Sequence, residues 1–482
     1  MIKKIQIIGV ILFLALLSGI FIGNSIFSNE KEGEDTDFVG DTCTKRRSND
    51  NKYIKEFIIP TPCSAPIGIT TDINGNIWFS ETNSSKIGKY NPMKNEFTEY
   101  TITNTDNIRI QSWSLVFDEE ENLWFTDHSN NLIWEYDVEN GIFNNYTIPT
   151  RNSYPVQILE DEKGMLWISE IYGNKIAQIN KTKIRQNNLN GIIEIEPPEK
   201  LELLGGIFID YKNRVWFTML TYPFVGKIAM YDQETNEFEI IELPEGITSP
   251  VGIVGDNEGI IWINDHGSSH FVEYNTDTKS FMKFSTSIGK TAFANTLPYW
   301  NAIDSKGNMW MNLHQGNAIA KLDRETGALI EYNIPTRNED WGNQSNTLQF
   351  TIDNNDNIWF TEWTENKIGF LNSSIDIPFK ITTMNDEIEI TNNEIKNVEL
   401  EITSSEALEL DFSSSSTITR NGELKNISIV FEEEKIIING KKQLNVEIEY
   451  SGNLAAGQYT IMLSANNKDI TYSIPIKIII NN

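Results

Sequence analysis

A six-residue stretch around one tryptophan, Asn76-Ile77-Trp78-Phe79-Ser80-Glu81, returns six more times along the 482-residue chain, centred on Trp124, Trp167, Trp216, Trp262, Trp310 and Trp359. Successive tryptophans lie 46, 43, 49, 46, 48 and 49 residues apart, the length of one four-stranded propeller blade. Short β-branched and aromatic runs stand between Gly, Asn, Asp and Pro, which is the chemistry of strands. Six residues before every tryptophan is an aspartate: Asp72, Asp118, Asp161, Asp210, Asp256, Asp304 and Asp353. Three before it comes Gly, Asn or Asp, except for Glu121 in the second repeat. An aspartate that accepts backbone N–H groups, followed by a residue tolerant of positive φ, makes a tight hairpin turn. These aspartates are therefore read as turn caps. No outer strand follows the seventh tryptophan, but Tyr53–Pro60 reads as one before the first, so both ends of the domain would share the last blade. The expected fold is all-β: a seven-bladed propeller over residues 53–374.

From 375 to 482 the tryptophans cease and alternating runs such as Val398–Thr403, Val446–Tyr450 and Tyr459–Ser464 take over. They predict a C-terminal β-sandwich of immunoglobulin or fibronectin type. Residues 1–28 begin Met-Ile-Lys-Lys and continue as an apolar stretch, the pattern of a signal peptide or an N-terminal membrane anchor. Lys3 and Lys4 would stay inside, placing the rest in an extracytoplasmic, cell-surface setting, either anchored or secreted. Residues 29–52 are charged and polar and read as a disordered linker. The only cysteines, Cys43 and Cys63, flank the closing strand and in an oxidising exterior would form a disulfide. With 39 Lys and Arg against 68 Asp and Glu, the net charge of −29 argues against a nucleic-acid partner.

The segment Ala65-Pro66-Ile67-Gly68-Ile69-Thr70, with Asn74-Gly75-Asn76-Ile77-Trp78-Phe79-Ser80-Glu81 and Lys86-Ile87-Gly88-Lys89, resembles the streptogramin B (virginiamycin B) lyase family. Asn357–Glu362 with Asn366–Gly369 is the nearest copy. The resemblance implies a seven-bladed propeller, and enzymes of the family open a cyclic depsipeptide by magnesium-assisted elimination. Family enzymes carry catalytic histidines at the start of the innermost strands. Here the positions eleven before each tryptophan hold Ile67, Trp113, Val156, Gly205, Val251, Tyr299 and Leu348, none of which is a general base.

Chemistry is instead expected just after the tryptophans. Three residues on come Glu81, Asp127, Glu170, Met219, Asp265, Leu313 and Glu362; one further come His128, His266 and His314, three of the four histidines in the chain. The antiparallel order puts these at one mouth of the channel. Asp265, His266, His314 and Glu362 form a candidate site for one divalent cation, Mg²⁺, Ca²⁺ or Zn²⁺, with Glu81, Asp127 and Glu170 as further mouth acids. The competing reading has these carboxylates bonding backbone amides in a repeated loop. Two functions remain open. One is a surface binding or scaffold protein for an extracellular ligand or surface protein. The other is a metal-assisted lyase or lactone hydrolase in which His266, His314 or Glu362 supplies the acid–base chemistry.

Overall fold

A computed structural model describes residues 49–103, 109–199, 203–221, 225–288, 291–417, 426–452 and 454–481. The apolar N-terminal stretch and linker residues 29–48 lie outside them, while the end of the expected linker is ordered against the propeller: Asn51 accepts the N–H groups of Tyr53 and Ile54 and donates to the Asn333 carbonyl. No helix among the described residues is long and apolar enough to cross a membrane. Cys63 is disulfide-bonded, and Cys43 lies outside the described residues.

Each tryptophan sits in the second strand of an antiparallel four-strand meander. In the first repeat the strands are Pro66–Thr71, Ile77–Glu81, Lys86–Asn91 and Glu96–Thr101, paired in that order. The turn between the first two is built by Asp72, whose Oδ1 accepts the N–H groups of Asn74 (3.0 Å) and Asn76 (2.8 Å). Its other oxygen accepts the indole N–H of Trp78 at 2.9 Å. The same turn-plus-indole bond recurs from Asp118, Asp161, Asp210, Asp304 and Asp353. It pins a buried ring whose polar atom would otherwise be orphaned. Asp256 departs from the pattern: it caps its turn but faces Arg324 at 3.5 Å, and Trp262 is only half-buried. Glu121 takes a φ of 62° in the position where Gly75 has 74°, so the second turn forms in spite of its side chain.

The seven innermost strands neighbour one another in a closed ring, the last, Thr347–Ile352, lying against the first, Pro66–Thr71. As the sequence predicts, the N-terminal strand Ile54–Ile58 completes the last repeat by pairing with Lys367–Leu371. A buried ion pair between Glu56 and Lys367 (2.8 Å) fastens this seam, with Thr336 donating its N–H (3.0 Å) and hydroxyl (2.6 Å) to the same carboxylate.

Six repeats end as self-contained four-stranded sheets. The sixth, around Trp310, does not. Its outer strand Leu329–Asn333 pairs with the C-terminal strand Ile470–Ile480, so that repeat becomes part of an 11-stranded sheet. Thus six separate blades stand where seven equivalent ones were expected. The C-terminal strands likewise do not form a sheet pair of their own. Glu394–Ser416, Lys435–Tyr450 and Gly457–Asn466 continue the same hydrogen-bonded sheet. The reason is physical: Leu329, Ile330 and Tyr332 leave an apolar edge strand that is satisfied by pairing with Tyr472 and its neighbours. Val398, Leu400, Val446 and Ile448 then share one continuous core with Trp310, Phe350 and Phe360 of the propeller.

Candidate functional site at the channel mouth

The register brings the residue three after each tryptophan opposite the start of the innermost strand, pairing Glu81 with Pro66, Asp127 with Ser112, Glu170 with Pro155, Asp265 with Pro250 and Glu362 with Thr347. Just beyond that pair every innermost strand shifts register, a bulge that recurs in all seven repeats. Bulges re-aim side chains, and here they carry Ile67, Trp113, Val156, Gly205, Val251, Tyr299 and Leu348. Trp113, from the second repeat, donates its indole N–H to the hydroxyl of Tyr299, from the sixth, at 3.2 Å. These repeats face each other across the ring. His266 lies edge-on to Tyr299 with ring centroids 5.0 Å apart, and His314 lies 5.5 Å from His266. On the other side His128 packs edge-on to Trp113 at 5.6 Å. All five side chains are at most 5% exposed. The mouth is filled by an aromatic and imidazole cluster.

The imidazoles are neutral. Burial pulls His128 and His314 down to about 4, and drives His266 well below its ordinary range with His314 opposing its charge. Nδ1 of His128 bonds the Gln111 carbonyl at 2.8 Å and Nδ1 of His314 the Thr347 carbonyl at 3.1 Å. A carbonyl only accepts, so in both rings Nδ1 holds the proton and Nε2 the lone pair.

Two of the mouth carboxylates, Asp265 and Asp127, are tied to loop amides. Asp265 accepts N–H groups of Thr248 (3.1 Å) and Ser249 (2.6 Å) and the Ser268 hydroxyl (2.6 Å). Asp127 accepts from Gln111 N–H (3.2 Å) and the Asn130 amide. Glu81 takes the Ser84 hydroxyl. Desolvation pushes Glu81 up to about 7 and Glu170 up to about 8, and raises the fully buried Glu362 well above the carboxylate range. Asp265 and Asp127 thus hold loop amides, whereas both oxygens of Glu170 and Glu362 and one of Glu81 are buried without a hydrogen-bond partner among the described residues. Among the described residues no group of three or more His, Cys, Asp or Glu side chains is arranged to hold a metal ion. The proposed quartet is not brought together as such a group, and Asp265 spends its oxygens on amides and a hydroxyl.

One repeated position escaped the sequence reading. Two residues after the tryptophan the side chain is always small or amide-bearing, although it lies in a wholly buried strand segment. Thr126, Thr218, Asn264, Asn312 and Thr361 use it to bond a carbonyl on the innermost strand of the next repeat, as in Thr126 to Val156 (2.9 Å) and Thr361 to Ile67 (2.9 Å). The signal was present: polar residues at one fixed place in an otherwise apolar motif.

Comparison with known proteins agrees with this geometry. Residues 43–192 match the Virginiamycin B lyase family. A search of curated proteins finds no match. Among solved structures, virginiamycin B lyase from Staphylococcus aureus is similar at 23% identity and a TM-score of 0.56, covering 66% of this chain and 98% of that one. A streptogramin B lyase structure gives 24%, 0.55, 66% and 97%. A catalytically inactive variant of the S. aureus enzyme with quinupristin gives 23%, 0.56, 66% and 98%. The propeller of this chain is a streptogramin B lyase-like propeller.

Proposed function

We propose that this chain is an exported, membrane-anchored propeller that binds an extracellular ligand or surface protein, and that it is not a lyase. The observation that carries the reading is the Trp113–Tyr299 bridge, which fills the mouth where a substrate would have to enter. The burial of His128, His266 and His314 within the same cluster supports it, since each is at most 5% exposed. We read the ring as seven-bladed, with the sixth repeat serving at once as blade and as root of the C-terminal sheet, and that sheet as a sandwich-like spacer folded on itself.

A second reading keeps catalysis. It rests on the 5.5 Å approach of His266 and His314 on neighbouring repeats, with Glu362 as a further acid–base group. Incubation of the purified chain with a streptogramin B depsipeptide and with simple lactones, each with Mg²⁺, Ca²⁺ or Zn²⁺, decides between the two. The binding reading expects no ring opening by mass spectrometry. Turnover that disappears in His266→Ala or His314→Ala would establish the second.

A further inference from the structure

Seven connections lead from an outer strand to the next innermost strand, all emerging at the mouth described above. Those over 59–65, 148–154, 196–202 and 243–249 have seven residues, and 102–111 has ten. The two longest, 286–297 with twelve and 334–346 with thirteen, stand on neighbouring repeats and meet: the Ala292 N–H donates to the Gly342 carbonyl at 3.1 Å. Phe293 lies so close to Gly342 that a Cβ there would stand 2.5 Å from its ring. Gly342, Asn343 and Asn346 all take positive φ, at 74°, 64° and 53°.

This elaborated rim presents Trp341. The ring is 42% exposed on a short turn, Glu339–Trp341, capped by the Asn338 side chain. Trp363 stands beside it, ring centroids 6.4 Å apart and planes at 53°, making an angled pair of aromatic walls. The turn holding Trp363 is tied to the insert by Asn338 to Glu365 (2.6 Å) and by the Thr364 hydroxyl to the Ser345 carbonyl (3.1 Å). Two amide oxygens of the same inserts, Oε1 of Gln344 and Oδ1 of Asn295, are buried without a hydrogen-bond partner, and Gln344 as a residue is 4% exposed. Exposed Glu339 and Asp340 beside them repel anions.

We propose that this rim is a carbohydrate site, with Trp341 and Trp363 stacking on pyranose rings of a neutral glycan. The proposal rests on the binding role above and names its ligand class. The apolar faces of pyranose rings are what such walls complement, whereas an acidic polysaccharide would meet Glu339 and Asp340.

The test uses the full chain in detergent, titrated by calorimetry and tryptophan fluorescence with neutral oligosaccharides of glucose, mannose, xylose and N-acetylglucosamine. Saturable binding to one of them is expected, weakened about tenfold by Trp341→Ala, as loss of one stacking partner requires, and less by Trp341→Phe. Trp363→Ala should weaken it too, while Tyr299→Phe, away from the rim, leaves it within about twofold. Unchanged thermal unfolding of Trp341→Ala shows that the loss is local. Absence of saturable binding across the panel overturns the glycan assignment, as does binding indifferent to Trp341→Ala. An aromatic peptide that binds at Trp341 while no sugar does would overturn the assignment and leave the binding role standing. Turnover of a depsipeptide or lactone would sink the binding role itself.

Discussion

The indole N–H of Trp113 reaches the hydroxyl of Tyr299 at 3.2 Å, joining residues 186 apart in the chain and in opposite repeats of the ring. Both occupy the bulged position near the start of an innermost strand. Removing the phenol oxygen with Tyr299→Phe leaves a buried indole donor without its acceptor. The expected loss is about 1–2 kcal/mol in urea unfolding. In the unaltered chain burial pushes the Tyr299 phenol above its ordinary range, so its ultraviolet titration should lag behind that of the exposed tyrosines.

The Glu56–Lys367 pair closes the ring with side chains at most 2% exposed. Glu56→Ala strands the Lys367 ammonium in the interior and should lower stability by about 3–5 kcal/mol. Exchanging both members for apolar residues, Glu56→Leu with Lys367→Met, should recover much of that loss, as a shift of the urea midpoint back toward the parent value. Equal destabilisation by the single and double changes would show that the seam depends on the ion pair itself.

Six of the seven repeat aspartates hold both a turn and an indole, and the seventh, Asp256, holds only a turn. Asp161→Ala should therefore cost about 2–3 kcal/mol, two kinds of bond being lost from a buried site, and Asp256→Ala about 1 kcal/mol. Matched denaturation curves check the ranking.

Acid and base should act on different groups. For His128 and His314 the folded value, about 4, lies below the unfolded one near 6.5. The unfolded chain then binds more protons between those values, and stability falls as pH drops from about 7 toward 4. For Glu81 and Glu170 the folded values, about 7 and about 8, lie above the unfolded one. Here the folded chain binds more protons, and stability falls as pH rises from about 4.5 through 8. Thermal midpoints across pH 4–9 should pass through a maximum inside that range. Glu170→Gln should flatten the alkaline limb and His128→Gln the acid limb.

The repeat was legible because a tryptophan, an aspartate and a glycine-like turn recur at fixed offsets, and local turn chemistry needs nothing beyond its own few residues. The closing strand was legible for the same reason, as a missing member of a counted set. The fusion of Leu329–Asn333 with Ile470–Ile480 was not. It joins segments far apart in sequence, and an alternating strand carries no mark of which edge it will meet. At the mouth, Glu81, Asp127 and Asp265 were visible as carboxylates, but whether each faces the channel or a loop amide depends on register and bulge. The Trp113–Tyr299 contact likewise follows from ring geometry, with no trace in local spacing.

The central claim is that this propeller binds a ligand and does not catalyse. Metal analysis of the purified chain, beside His266→Ala and His314→Ala, tests it most directly. The predicted result is no stoichiometric divalent metal that depends on either histidine, with thermal stability indifferent to chelator. One equivalent of metal, lost in either variant, would contradict it.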